Sequence, residues 1–186
     1  MRALPLLLMF ACAAHADSEL TSVDITKVKD ARGDKITVFG TRLGMTHAEA
    51  KAILDKNRQL TYKVDGANPD RIYVNSAAGA ELFYLIWEPG KPKLTRISIF
   101  RDFGPFLVGD TKLLLTRDAI SDSRLRSEFL GAPDREKVTL DIPSIKLHHV
   151  SYWHEKRWIV VTLQQPEGRV VFALESPEYT GPANLR

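Results

Sequence analysis

The pattern of the chain predicts an α+β fold of two tandem units, each a helical segment packed on a four-stranded antiparallel sheet. Three observations carry that expectation. Two amphipathic helix signals, around residues 46–57 and 116–130, are each followed by four short strand-like runs. The connections between runs are of hairpin length, which joins antiparallel rather than parallel neighbours. One helix can cover one face of each resulting sheet.

The elements follow in order. Residues 1–16, "MRALPLLLMFACAAHA", read as a secretory leader. Arg2 supplies the positive start, Leu4 to Ala14 the apolar run, and Ala14-His15-Ala16 a small-x-small cleavage site. The run is shorter than the roughly 20 residues that span a bilayer, so no transmembrane segment is expected in the mature chain. Cys12, the one cysteine, lies inside this run. Bulky Phe10 spoils a lipid-attachment motif there, so the leader reads as cleaved rather than as an anchor. The mature chain then lacks the thiols needed for disulfides, thiol catalysis or cysteine-ligated zinc.

Residues 17–34 are polar and weakly patterned and are expected to be loose. The first unit spans 35–100. It opens with a short strand, "KITVFG", and a helix whose start is marked by Thr46 and Glu49, a capping box. Ala50, Ile53 and Leu54 share one helix face. Strands are expected at about 60–65, 71–75, 81–88 and 93–100, separated by the turns "VDGANPDR" and "EPGKPK". Residues 101–115 read as a linker. The second unit spans 116–174, with Leu125, Phe129 and Leu130 on one side of its helix and Gly131 and Pro133 as its stop. Four more strands are expected at about 136–142, 147–154, 157–165 and 169–174. Residues 175–186 read as a flexible tail.

The helix segments carry a resemblance. "RLGMTHAEAKAIL", with Gly44, Met45 and Thr46, and "FLGAPD", with Leu130, Gly131 and Pro133, resemble the SmpA/OmlA (BamE) proteins of the β-barrel assembly machinery. The doubled order is similar to the tandem-repeat β-lactamase inhibitor proteins. The second half lacks the Gly-Met-Thr start. The resemblance implies a non-enzymatic envelope protein that binds other proteins, and it names no partner.

Composition narrows the function classes. With 44% hydrophobic residues the chain can bury a core. The formal net charge is +3, basic and acidic residues are interspersed, and no lysine/arginine run resembles a nucleic-acid footprint. No phosphate loop, dinucleotide fingerprint or serine-nucleophile motif is present, and no cofactor is expected.

The densest chemistry is "LHHVSYWHEKRW", residues 147–158. Side chains alternate along a strand, so His148 and His149 point apart. His148 and His154 share a face but stand about 20 Å apart along it, too far for one zinc ion. No metal site is expected. If Glu155-Lys156 is a two-residue turn, Trp153 faces Trp158, Tyr152 faces Ile159 and Val150 faces Val161. The last two pairs make an obvious core. Trp153 and Trp158, joined by Phe172 and rimmed by Arg157, then form a second aromatic face. Phe83 and Trp87 are the counterpart in the first half. Such a face either packs at the junction of the halves or binds a partner.

The sequence therefore points to a periplasmic or secreted, non-enzymatic binding module of the bacterial envelope. Its expected partner is another envelope protein, seated on Trp153, Trp158, Arg157, Phe172, Phe83 and Trp87. The rival readings are a small hydrolase with an Asp/Glu/His set assembled by folding, and a structural envelope protein.

Overall fold

The structure is a computed structural model that describes residues 32–100, 106–108, 111–113, 123–165 and 169–181. The leader with Cys12, most of the N-terminal segment, the start of the second helix signal and the last residues of the tail lie outside the described residues.

The short strand expected at 35–40 does not form, leaving a 3-10 turn at Gly33–Lys35 and a single Val38–Thr41 bridge, whereas the eight strands expected after the first helix appear close to their places. Antiparallel hairpins link β1 (Leu60–Val64), β2 (Arg71–Ser76), β3 (Glu81–Trp87) and β4 (Leu94–Phe100). A small hairpin, β5 (Phe106–Val108) with β6 (Thr111–Leu113), follows within the stretch read as linker. Then come β7 (Arg135–Ile142), β8 (Leu147–His154), β9 (Ile159–Gln165) and β10 (Arg169–Glu175).

The tandem arrangement is overturned. β10 pairs with β4, Val171 opposite Phe100 through to Glu175 opposite Arg96, so eight strands form one antiparallel sheet. Its order is β1-β2-β3-β4-β10-β9-β8-β7. The result is predominantly β, not a pair of α+β units. The physical reason lies in β4 and β10. Each has one apolar face, Ile97 and Ile99 on one and Phe172 and Leu174 on the other, and these side chains stand directly opposite each other. Pairing the two edges removes two unpaired ladders and merges two half-cores into one.

One helix of substance, α1 (His47–Lys56), lies on this sheet. Its capping box is formed, with the Thr46 amide donating to Glu49 at 2.8 Å and the Glu49 amide donating back to the Thr46 hydroxyl at 3.3 Å. Ala50 and Leu54 are its buried residues. The preceding Gly44-Met45 segment is tied to β4: the Gly44 amide donates to the Leu94 carbonyl and the Leu94 amide to that of Met45. Trp87 donates its indole N–H to the Met45 carbonyl at 3.0 Å and stacks on His47 at 3.8 Å. Within the described residues the second helix signal appears as α2 (Ser123–Leu130). Gly131 ends it in the left-handed conformation, φ 76°, its amide donating to the Ser127 carbonyl. Leu130 joins the same core as Ala50 and Leu54, so both helical segments meet one face of one sheet. The side chains of Leu125 and Phe129, expected beside Leu130, lie outside the described residues.

That face holds the main core: Ile72, Val74, Phe83, Leu85, Trp87, Ile97, Ile99, Phe172, Leu174, Ile159 and Val161, all nearly inaccessible. The opposite face is mixed. Trp153, Val160 and Ala173 form a small apolar cluster. Beside it the buried Arg96 pairs with Glu175 at 2.7 Å, across the β4–β10 seam, and donates to Ser98 at 2.9 Å. The Ser151 and Thr162 hydroxyls bond at 2.7 Å.

The tail is a second correction. Residues 176–181 do not fray but return over the sheet end. The Ser176 amide donates to the Thr95 carbonyl, Lys91 donates to that of Glu178, and Thr180 donates to Glu88 through both amide and hydroxyl. Tyr179 is buried, with the Arg96 guanidinium 5.1 Å from its ring centroid. An aromatic anchor and a buried carboxylate offset the entropy of ordering this short segment.

Candidate functional site

The site forms at the end of the sheet where the β8–β9 hairpin, the returning tail and the start of the described chain meet. Its geometry begins with the turn. The ladder closes at His154 opposite Ile159, not at His154 opposite Arg157, so the turn has four residues instead of two. Glu155–Arg157 make one 3-10 turn and Trp158 follows in the left-handed conformation, φ 57° and ψ 40°. The register therefore moves by two residues. A shift of two preserves faces, which is why Tyr152 still shares the core face, now opposite Val161. Trp158 is lifted out of the strand.

The expected pairing of Trp153 with Trp158 is thus corrected. Trp153 lies opposite Val160 on the mixed face. Trp158 packs on the main core from the other side. The two still meet one hollow, of about 320 Å³, which runs past the sheet end and is lined also by Arg135, Glu155, Pro177 and Tyr179. A second hollow, of about 200 Å³, is lined by Asp34, Leu43, Lys93 and Glu178. Trp158 and Ser176 line both. Trp158 is therefore the common wall of a groove.

The other residues expected at the site are placed differently. Phe172 stands opposite Val161 in the main core, where Phe83 and Trp87 are also fully buried. None of the three lines the groove. Register explains Phe172: β10 pairs Arg169 with Gln164, which puts Phe172 on the core face. Arg157 sits in the turn, half-buried and next to the histidine side of the hairpin.

The groove's aromatic rings each carry a guanidinium. Arg135 lies 4.0 Å from the Trp153 ring centroid, Arg32 4.7 Å from that of Trp158, and Arg96 5.1 Å from that of Tyr179. Each arginine also has a carboxylate: Glu155 at 3.3 Å, Asp34 at 2.6 Å and Glu175 at 2.7 Å respectively. The Asp34 carboxyl is held below its usual range by the hydrogen bond from Arg32. Gly33 makes the close approach possible: a Cβ there would stand 2.6 Å from the Trp158 carbonyl oxygen. Trp153 is 2% exposed, yet its indole N–H has no hydrogen-bond partner among the described residues. A buried donor of this kind calls for an acceptor.

Sequence reasoning missed Arg32, Arg135, Pro177 and Tyr179. The signal for Tyr179 was present: an aromatic between Pro177 and Pro182 is poorly suited to a free tail. Nothing local marked Arg135, whose place over Trp153 depends on β7–β8 register.

The histidines do not converge. His148 pairs through Nδ1 with Asp141 at 2.8 Å on the half-exposed edge, His149 faces the mixed side, and His154 is buried at the end of β8. No cluster of three or more His, Cys, Asp or Glu side chains suited to a metal ion occurs among the described residues. No helix among them is long and apolar enough to cross a membrane.

Fold and groove together define the class: a predominantly β protein with one continuous antiparallel sheet and an aromatic-walled groove at a hairpin tip. Comparison with protein-family models, curated proteins and solved structures finds no match for the chain, and so neither strengthens nor weakens its resemblance to the SmpA/OmlA group.

Proposed function

We propose that the protein is a non-enzymatic binding protein of the bacterial cell envelope that seats an extended segment of another envelope protein in the groove around Trp158. The observation that carries this reading is the conformation of Trp158. Left-handed backbone suits glycine or asparagine, and a bulky residue there costs about 1–2 kcal/mol. Phe39 and Lys146 share that conformation, but at Trp158 it lifts an indole out of the strand and onto the wall of both hollows. That ring stands between two hollows, half-buried under Arg32. A compact small molecule fills one hollow, whereas an extended segment passes both. Trp, Tyr and Arg walls are the side chains that dominate protein–protein contact energies. The buried Trp153 N–H offers a donor to a backbone carbonyl. The leader-like residues 1–16 support the envelope location.

Trp158→Gly tests the reading. Glycine accepts the left-handed backbone without strain, so the turn survives while the ring is lost. Capture of the partner from envelope extract by the mature chain is expected to fall about 30-fold or more, the weight of a 2 kcal/mol contact. Capture equal to wild type by a folded Trp158→Gly chain refutes the groove as the binding site.

A further inference from the structure

We infer that His154 is an acid-sensitive latch, whose protonation frees α2 and the Glu155–Trp158 turn from the end of the sheet and so unseats whatever the groove holds. The consequence for binding rests on the groove reading above; the latch itself does not.

The geometry is that of a buried seam. His154 ends β8, opposite Ile159, and is 2% exposed. Its Nε2 has no hydrogen-bond partner among the described residues. The ring is closed over by three pieces of chain. From α2 comes Arg126, whose guanidinium lies 4.3 Å from the Tyr152 ring centroid, one position along the same sheet face. From the α2–β7 connection come Asp134 and a backbone hydrogen bond at Ala132. From the turn comes Arg157. Two cations and one anion therefore face the imidazole. A neutral ring fits this seam. A protonated one is a third cation in a water-poor space with a single carboxylate to answer it.

Burial, then Arg157, then Arg126 push the imidazole down to about 4, against the weaker pull of Asp134 and Ala132. The sign follows directly. With the closed-state value below the ordinary 6.5, the closed form stays neutral while the open form takes up a proton. The closed form is therefore fully favoured above about pH 6.5 and loses ground as pH falls toward 4. At pH 5 the opening equilibrium rises about 30-fold relative to neutral pH.

The opening should be local. Among the described residues α2 puts one apolar side chain, Leu130, into the core. The turn is pinned by Arg32 over Trp158 and by the Glu175 amide donating to the Trp158 carbonyl. His47, at the start of α1 and stacked on Trp87, is a second histidine whose pKa burial lowers. Short elements with few buried residues are the low-stability end of a fold.

Hydrogen exchange on the mature, unliganded chain tests the latch at pH 7.5 and pH 5.0, corrected for intrinsic exchange. The expected result is a loss of protection of about 30-fold at residues 123–130 and 154–158, with β1 and β2 unchanged. His154→Gln and His154→Phe, which cannot titrate, are expected to abolish that acid step. Two neutral replacements of different shape guard against one failing to fold. Persistence of the step in both variants, or an equal loss over the whole sheet, overturns the latch. Capture from envelope extract at the two pH values separates the readings. Loss at pH 5.0 in wild type but not in His154→Gln supports the link to the groove. An acid exchange step with capture that ignores both pH and Trp158→Gly leaves the latch standing and removes the groove reading.

Discussion

Single residues decide how the sheet end is built. Trp158 reads from the sequence as a strand residue facing Trp153, and it becomes a turn residue because four residues, not two, close the hairpin. The Arg96–Glu175 pair is the other decisive case. Each charge alone looks like a solvated strand residue. Register sets them opposite each other across the β4–β10 seam, with the Arg96 side chain 4% exposed. Removing one partner of such a pair leaves the other charge poorly compensated and costs about 3–5 kcal/mol. Glu175→Ala is expected to lower unfolding free energy by about that amount in urea titration. The double change Arg96→Met with Glu175→Leu should recover part of the loss, because no buried charge then remains. A double variant less stable than Glu175→Ala would show that the pair acts through its shape rather than its charge.

At the scale of elements, the chain's local signals are dependable where they concern one element. The capping box at Thr46 and Glu49 forms as the sequence implies. Thr46→Ala should therefore cost about 1 kcal/mol and shift the thermal midpoint downward, with Thr46→Ser close to wild type. A Thr46→Ala chain that melts with wild type would mean that the Gly44–Leu94 and Met45–Leu94 hydrogen bonds alone position α1. Hairpins are legible for the same reason: the alternation in β2, β3 and β9 and the punctuation between strands are local. The second helix is the weaker case. Its described part, Ser123–Leu130, ends at Gly131 as the sequence implies, while the start of the signal lies outside the described residues. The tail reads as free in the sequence because the groups that hold it, Glu88 bonded to Thr180 and Arg96 over Tyr179, lie far away along the chain.

For the whole molecule, one sheet and one main core replace two units. Two independent units would melt separately, whereas a continuous core ties both helical segments and all eight strands together. Calorimetry of residues 17–186 at neutral pH is expected to show one transition, with van't Hoff and calorimetric enthalpies equal. Two resolved transitions would restore the tandem view. Legible in the sequence were the eight strands of the large sheet and the start of α1, but not the missing strand at 35–40, the β5–β6 hairpin or the face of Phe172. The legible elements follow from short-range chemistry: period-two alternation, capping hydroxyls and turn formers act within a few residues. Long-range folding sets that β4 meets β10, that Trp153 and Trp158 approach one hollow from opposite sides, that Arg135 and Arg32 cover them, and that His154 is buried at the hairpin end. Each of these is a meeting of side chains far apart along the chain. An edge strand with one apolar face is equally ready to stop a sheet or extend it, and the balance is set by the core gained when two edges close.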